Sequence, residues 1–144
     1  MPFSARNFRI DPRSRRLSVE ALEDRRMLAT FTVTNLLDGP VAAAGDLPDS
    51  LRQAIFDANS LAGPDEIDLS GVGGTLLMNA GEFLVTEALT INGPGSELLK
   101  IDADATAAND SRIFTIDDGG VLNNFDVTIN GLSAQSAMNP LIAE

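Results

Sequence analysis

Apolar and polar positions fall along the chain in two different rhythms. FTVTN at residues 31–35 alternates and predicts a strand. Gly39, Pro40, Gly45 and Pro48 mark residues 36–48 as a loop. Leu51, Ala54, Ile55 and Ala58 then recur at i, i+3, i+4 and i+7, the spacing of one helical face. A helix over about 50–60 follows, with Asp49 or Ser50 as its N-cap and Gly63-Pro64 as its stop. A strand is expected around Glu66–Leu69.

Beyond this point the chain is a series of short apolar runs cut by Gly, Asn and Asp. The runs are TLLMN (75–79), FLVTE (83–87), ALTIN (88–92), LLKID (98–102), IFTID (113–117), VLNNF (121–125) and VTING (127–131). One phrase returns as FTVTN, ALTIN, IFTID and DVTIN, with 24 residues from Ile67 to Ile91 and 25 from Ile91 to Ile116. A strand of four or five residues cannot bury its own apolar face. Stacking one circuit of strands on the next buries that face and pairs the backbone with the neighbours at about 4.8 Å. Periods of roughly 20–50 residues are those of solenoids. An antiparallel sandwich of short strands is the other architecture such runs allow.

Charge divides the chain. Residues 1–30 hold seven Arg against four acids, whereas residues 31–144 hold Arg52, Lys100 and Arg112 against 17 acids, a net of −14. Such a body repels nucleic acid and anionic membrane surfaces. With no Trp, no Tyr and seven Phe, a base- or sugar-stacking platform is hard to build. Without Cys or His, neither disulfides nor Ser-His and Cys-His nucleophile pairs can form. No window reaches the roughly 18 apolar residues of a transmembrane helix.

The remaining candidates for chemistry are acidic. Asp65, Glu66 and Asp68 form one cluster; Asp102, Asp104, Asn109 and Asp110 form another; Asp117-Asp118 is the third. All three are expected as solvated turns. The stretch 102–113 begins like a calcium loop, but Ala107 holds its glycine position and Ile113 its bidentate Glu position. Asp117-Asp118 is the one pair placed for acid–base work on a polysaccharide, with Lys100 and Arg112 as the available cations. The glycine strings GVGGT and NGPGS lack a P-loop lysine and are expected as turns, and Asn92 and Asn130, in the shared phrase T-I-N-G, as a stacked turn ladder. No catalytic, cofactor or metal residue is assigned.

Two resemblances extend this picture. SVEALEDRRMLA at residues 18–29 resembles the LEPR-type N-terminal motif of exported planctomycete proteins, through Leu22, Glu23, Arg25, Met27, Leu28 and Ala29. Asp24 stands where that motif usually has Pro, and Met27 where Leu is common. The resemblance implies that residues 1–29 are an export address, a disordered or loosely helical basic segment. The order FTVTN, DSLRQAIFDAN, GPDEIDL, ALTINGPG and SRIFTI resembles the start of bacterial surface proteins with an SLRQA- or SLREA-type signature, described as polymorphic outer-membrane-protein-like. Here the signature is Ser50, Leu51, Arg52, Gln53, Ala54, Ile55, Ala58 and Asn59, with Asp49 where one variant carries Cys.

This second resemblance implies a mainly β chain: a short right-handed parallel β-helix of about three coils over 30–132, an N-terminal capping helix, and a C-terminal tail over 133–144. Arg52 and Gln53 are expected to bond the open backbone edge. The function implied is that of an exported or cell-surface structural or adhesive module without catalysis or cofactor. Its surface ligand is unknown, and self-association through the last coil is expected. The alternatives are a remnant of a polysaccharide-acting β-helix enzyme and a truncated product with no role of its own.

Overall fold

A computed structural model of the chain describes residues 28–103, 112–117, 119–120 and 125–135. The basic segment through Met27, residues 121–124 of the strand expected over 121–125 and the tail from residue 136 lie outside the described residues.

Within them the protein is mainly β, with nine short strands and one helix. The strands are β1 (Thr30–Thr32), β2 (Asp65–Asp68), β3 (Gly74–Leu77), β4 (Phe83–Val85), β5 (Leu89–Asn92), β6 (Leu99–Asp102), β7 (Phe114–Ile116), β8 (Val127–Asn130) and β9 (Ser133–Gln135); α1 is Leu51–Ala58. Every strand pair is parallel. The sheet orders are β1-β2-β5-β8, β3-β6-β9 and β4-β7, so from β2 onward each strand pairs with the one three places later. The chain visits the three sheets in turn and returns to the first, a topology that no antiparallel sandwich has.

Strand length sets this arrangement. With three or four residues, a strand turns only one or two side chains inward, and β2, β5 and β6 alternate buried and half-buried along their length. In-register pairing lines those residues into columns. Phe31, Ile67, Ile91 and Ile129 form one, and Leu76, Ile101 and Ala134 another. Phe83 sits against Phe114 with ring centroids 5.5 Å apart.

The recurrent phrase needs a correction. FTVTN, ALTIN and DVTIN supply β1, β5 and β8 of one sheet, but IFTID supplies β7, which pairs with β4 in another. Ile67 does pair with Ile91, at the 24-residue interval, but Ile91 then pairs with Ile129 and not with Ile116. The second circuit is longer than the first, because extra chain lies between β6 and β7 and again between β7 and β8. Strand pairing constrains strand residues and leaves the length of an outward loop open.

The T-I-N-G phrase has a steric cause. The amide of Gly93 donates to Asn130 O at 2.8 Å, and that of Gly95 to Gly131 O at 2.7 Å. Two turns stack so closely that a Cβ on Gly93 would overlap the Gly131 carbonyl, and one on Gly131 the Gly93 carbonyl. Asn92 and Asn130 end their strands in register, and Asn130 Nδ2 lies 3.4 Å from Asn92 Oδ1.

Two boundaries also differ. Ser133–Gln135, expected in the tail, form β9 beside β6, so the sheets run three residues further. The helix stops at Ala58, five residues before Gly63. Asn59 ends it in the right-handed region, and its side chain is engaged elsewhere; Gly63, at φ +124, serves the turn into β2.

Candidate functional site

The most elaborate polar arrangement lies where β3 and β4 begin their sheets with no strand before them. α1 packs against β1, β2 and β4, burying Leu51, Ala54, Ile55 and Ala58. Ser50 is its N-cap. It is extended (φ −93°, ψ 159°), and its Oγ accepts from Gln53 N at 3.2 Å. Asp49, the other candidate, sits in the left-handed region at φ +59, where an N-cap cannot be. Its carbonyl instead accepts from Thr34 N and Asn35 N.

Three side chains then bond the open edge of the first circuit. Arg52 Nη2 donates to Gly81 O at 2.6 Å and Nη1 to Glu82 O at 3.0 Å, while its guanidinium lies 4.4 Å from the centroid of the Phe83 ring. Asp38 holds that guanidinium in a fork, Nε to Oδ1 at 2.5 Å and Nη2 to Oδ2 at 3.1 Å. The same Oδ2 accepts from Asn79 N at 2.6 Å and Ala80 N at 3.0 Å. Asn59 Nδ2 donates to Leu84 O at 2.8 Å, and its Oδ1 accepts from Thr86 N at 2.9 Å. A parallel strand residue opposite Val85 would bond those same two groups. One side-chain amide thus replaces one rung of the missing strand.

The Arg52 side chain is 13% exposed and that of Asp38 1%. The Asp38 carboxylate is therefore buried, and the Arg52 guanidinium that covers it is half-buried. The signature residues Ser50 to Asn59 meet at this one place. Arg52 acts on the edge as expected. Gln53 does not. Its Oε1 accepts from Leu47 N, and its Nε2 donates to Ala43 O and to Asp57 Oδ1, so it holds the 36–48 loop. Asp38 escaped the sequence reading because a lone Asp before Gly-Pro looks like a turn residue; only its partner, 14 positions on, gives it a role.

Chain searches against family models, curated proteins and solved structures found no match.

The acidic clusters differ from solvated turns in one respect. Asp65 faces inward in the column of Leu89 and Val127 and is 1% exposed. Its Oδ1 accepts from Ala29 N at 3.0 Å, and its Oδ2 is buried with no hydrogen-bond partner among the described residues. Asp102 pairs with Lys100 Nζ at 2.9 Å, and its Oδ1 is buried without a partner among the described residues. Asp68 is half-buried, and hydrogen bonds from the Ser70 side chain and then from its backbone N–H lower its pKa below the ordinary 3.8. The Ala42 and Ala43 backbone N–H groups do the same for Asp46. Asp117 Oδ1 accepts from Gly119 N, an ordinary turn bond. Asp104, Ala107, Asn109, Asp110 and Asp118 lie outside the described residues, as do Leu22, Glu23, Arg25 and Met27. Leu28 and Ala29 lead into β1.

Among the described residues no three His, Cys, Asp or Glu side chains converge as a metal-ligand group, and no helix is long and apolar enough to cross a membrane. An open groove of about 470 Å³ runs past Pro64, Thr86, Leu89 and Thr128; its charged lining residues are Glu87 and Asp126. The outer face of the four-stranded sheet carries Thr30, Thr32, Glu66, Asp68, Thr90, Asn92, Thr128 and Asn130 in register, a polar and acidic surface.

Proposed function

We propose that this chain is a non-catalytic structural module of an exported protein, the capped N-terminal end of a right-handed parallel β-helix. The observation that carries the reading is the side-chain closure of the first circuit by Asp38, Arg52 and Asn59. A bare strand edge is a template for unwanted pairing. Dedicated side chains that satisfy it fit a stack that must begin at one defined place and grow in one direction. At the far end, β8 and β9 have a neighbour on one side only among the described residues. Growth from there, by further coils or by a second copy, keeps the strand register.

Handedness follows from connection chemistry: parallel strands joined through a crossover in one sheet are right-handed in about 98% of cases. Export is supported by the abrupt change from an Arg-rich segment to an acidic body at residue 30 and by the resemblance of residues 18–29 to an export motif. Function then lies in display. A rigid acidic shaft presents a polar strand face, suited to adhesion or spacing at a cell surface.

The test is expression in a planctomycete host with and without residues 1–29, followed by fractionation into cytosol, envelope and medium. The full chain is expected outside the cytosol and the truncated chain inside it. Retention of both in the cytosol would sink the reading.

A further inference from the structure

Asp65 is a buried carboxylate with half of its bonding capacity unused. It lies in the interior of the first sheet, in a column whose other members are Leu89 and Val127. Removing a carboxylate from water without full compensation is costly, and a chain with no further use for the charge would place a leucine there, as the next circuit does. Among the described residues the one hydrogen-bond partner of its carboxylate is the backbone N–H of Ala29, at 3.0 Å from Oδ1. Oδ2 is buried and unpartnered. The partner is thus a single neutral donor, at the point where the basic segment enters the sheet.

Ala29 is held on both sides. Its carbonyl accepts from Glu66 N at 2.8 Å, which joins it to the β1–β2 ladder, while its N–H is held by Asp65. Leu28, one residue earlier, is 62% exposed. The backbone therefore passes from an exposed residue to an anchored one across a single peptide bond. A cut after Ala29 would remove the acceptor of Glu66 N. A cut before it leaves the ladder whole and places the new terminus on Asp65.

We infer that the Leu28–Ala29 bond is a processing site, and that Asp65 is the receptor for the α-ammonium group that cleavage creates. An endopeptidase adds water across the amide. The Leu28 carbonyl carbon gains the oxygen and becomes a carboxylate, and the Ala29 nitrogen takes the protons and becomes an ammonium. The nitrogen then carries three N–H donors and a positive charge. One donor keeps Oδ1, another satisfies Oδ2, and the buried carboxylate gains an ion-pair partner. Asp65 thereby locks the mature N-terminus into the sheet. This inference rests on residues 1–28 being a removable segment, but its thermal test does not depend on export.

Two measurements decide it. Intact mass and N-terminal sequencing of the protein recovered from the planctomycete host should give Ala29 as the first residue; an intact segment or a different first residue overturns the proposal. In vitro, residues 22–28 of the full chain are replaced by a recognition sequence whose protease leaves Ala29 first, in the wild type and in Asp65→Asn. Asp65→Asn keeps an oxygen for the Ala29 N–H and removes the charge. Before cleavage the substitution should leave the melting temperature unchanged or raise it; after cleavage it should lower it by about 4 °C or more. A loss in both forms, or in neither, shows that Asp65 does not read the terminus. Cytosolic retention in the fractionation experiment, with Ala29 still the first residue and the melting-temperature loss confined to the cleaved form, would remove the export reading and leave this inference standing.

Discussion

Arg52 joins more of the end closure than Asp38 or Asn59 does, and its contacts are those of a planar guanidinium. The planar fork meets Asp38 through two nitrogens, reaches two carbonyls of the 79–82 turn and lies over Phe83. Arg52→Ala leaves the Asp38 carboxylate without its counter-ion, held by the Asn79 and Ala80 N–H groups alone, which costs about 3 kcal/mol. Arg52→Lys keeps the charge but lacks the fork and should recover less than half of that loss in urea denaturation. Full recovery by lysine would show that charge alone matters. Gly93 is demanding for a different reason. Gly93→Ala drives a methyl into the Gly131 carbonyl and should cost about 1–3 kcal/mol. Gly71→Ala, where a Cβ meets nothing within 4 Å, should be close to neutral in the same measurement. Equal effects at the two sites would mean that the turns are not tightly stacked.

Elements here are too short to stand alone, so each depends on its neighbour. α1 has eight residues and is marginal as an isolated helix; its stability comes from Leu51, Ile55 and Ala58 buried against the first circuit. β4 has three residues, with β7 on one side and the Asn59 amide on the other. Asn59→Ala strands Leu84 O and Thr86 N and should cost about 1–2 kcal/mol. Asn59→Asp should be no better, because a carboxylate oxygen then faces the Leu84 carbonyl. Amide hydrogen exchange at Thr86 reads the loss directly: it should speed up in both variants, while Ile67 and Ile91 in the central strands stay protected. Unchanged exchange at Thr86 would mean that the amide is not the rung described.

The whole molecule is asymmetric from end to end. Side chains close the first circuit, whereas β8 and β9 offer unpaired edges among the described residues. Edge pairing favours association, but a body with a net charge of −14 opposes it. The balance is set by ionic strength, because added salt screens the repulsion and leaves backbone pairing intact. Light scattering of the full chain should therefore show a mass that rises with concentration, and more steeply in about 0.5 M salt than in about 0.05 M. A strictly monomeric species at both would exclude the far edge as an association surface.

Local signals in the sequence determined the short strands, the amphipathic helix and the turn glycines. Each depends on residues within a few positions: alternation for a strand, the i, i+3, i+4 face for α1, Gly-Pro and Asn-Gly for turns. Recurrence of the T-I-N phrase indicated stacking, but its even period was misleading, since IFTID entered a different sheet and the second circuit took in longer loops. Only the tertiary structure decided which strand lies on which, because pairing in a stack is set by where a loop returns the chain and not by loop length. It also decided the roles of the isolated polar residues. In sequence Asp38 looks like a turn residue, Asn59 like the end of a helical signature and Asp65 like a solvated acid. Their partners lie 14 to 42 positions away and meet them only once the circuits have formed. An inward carboxylate breaks the apolar alternation of its strand, and only burial distinguishes that break from an ordinary solvated acid.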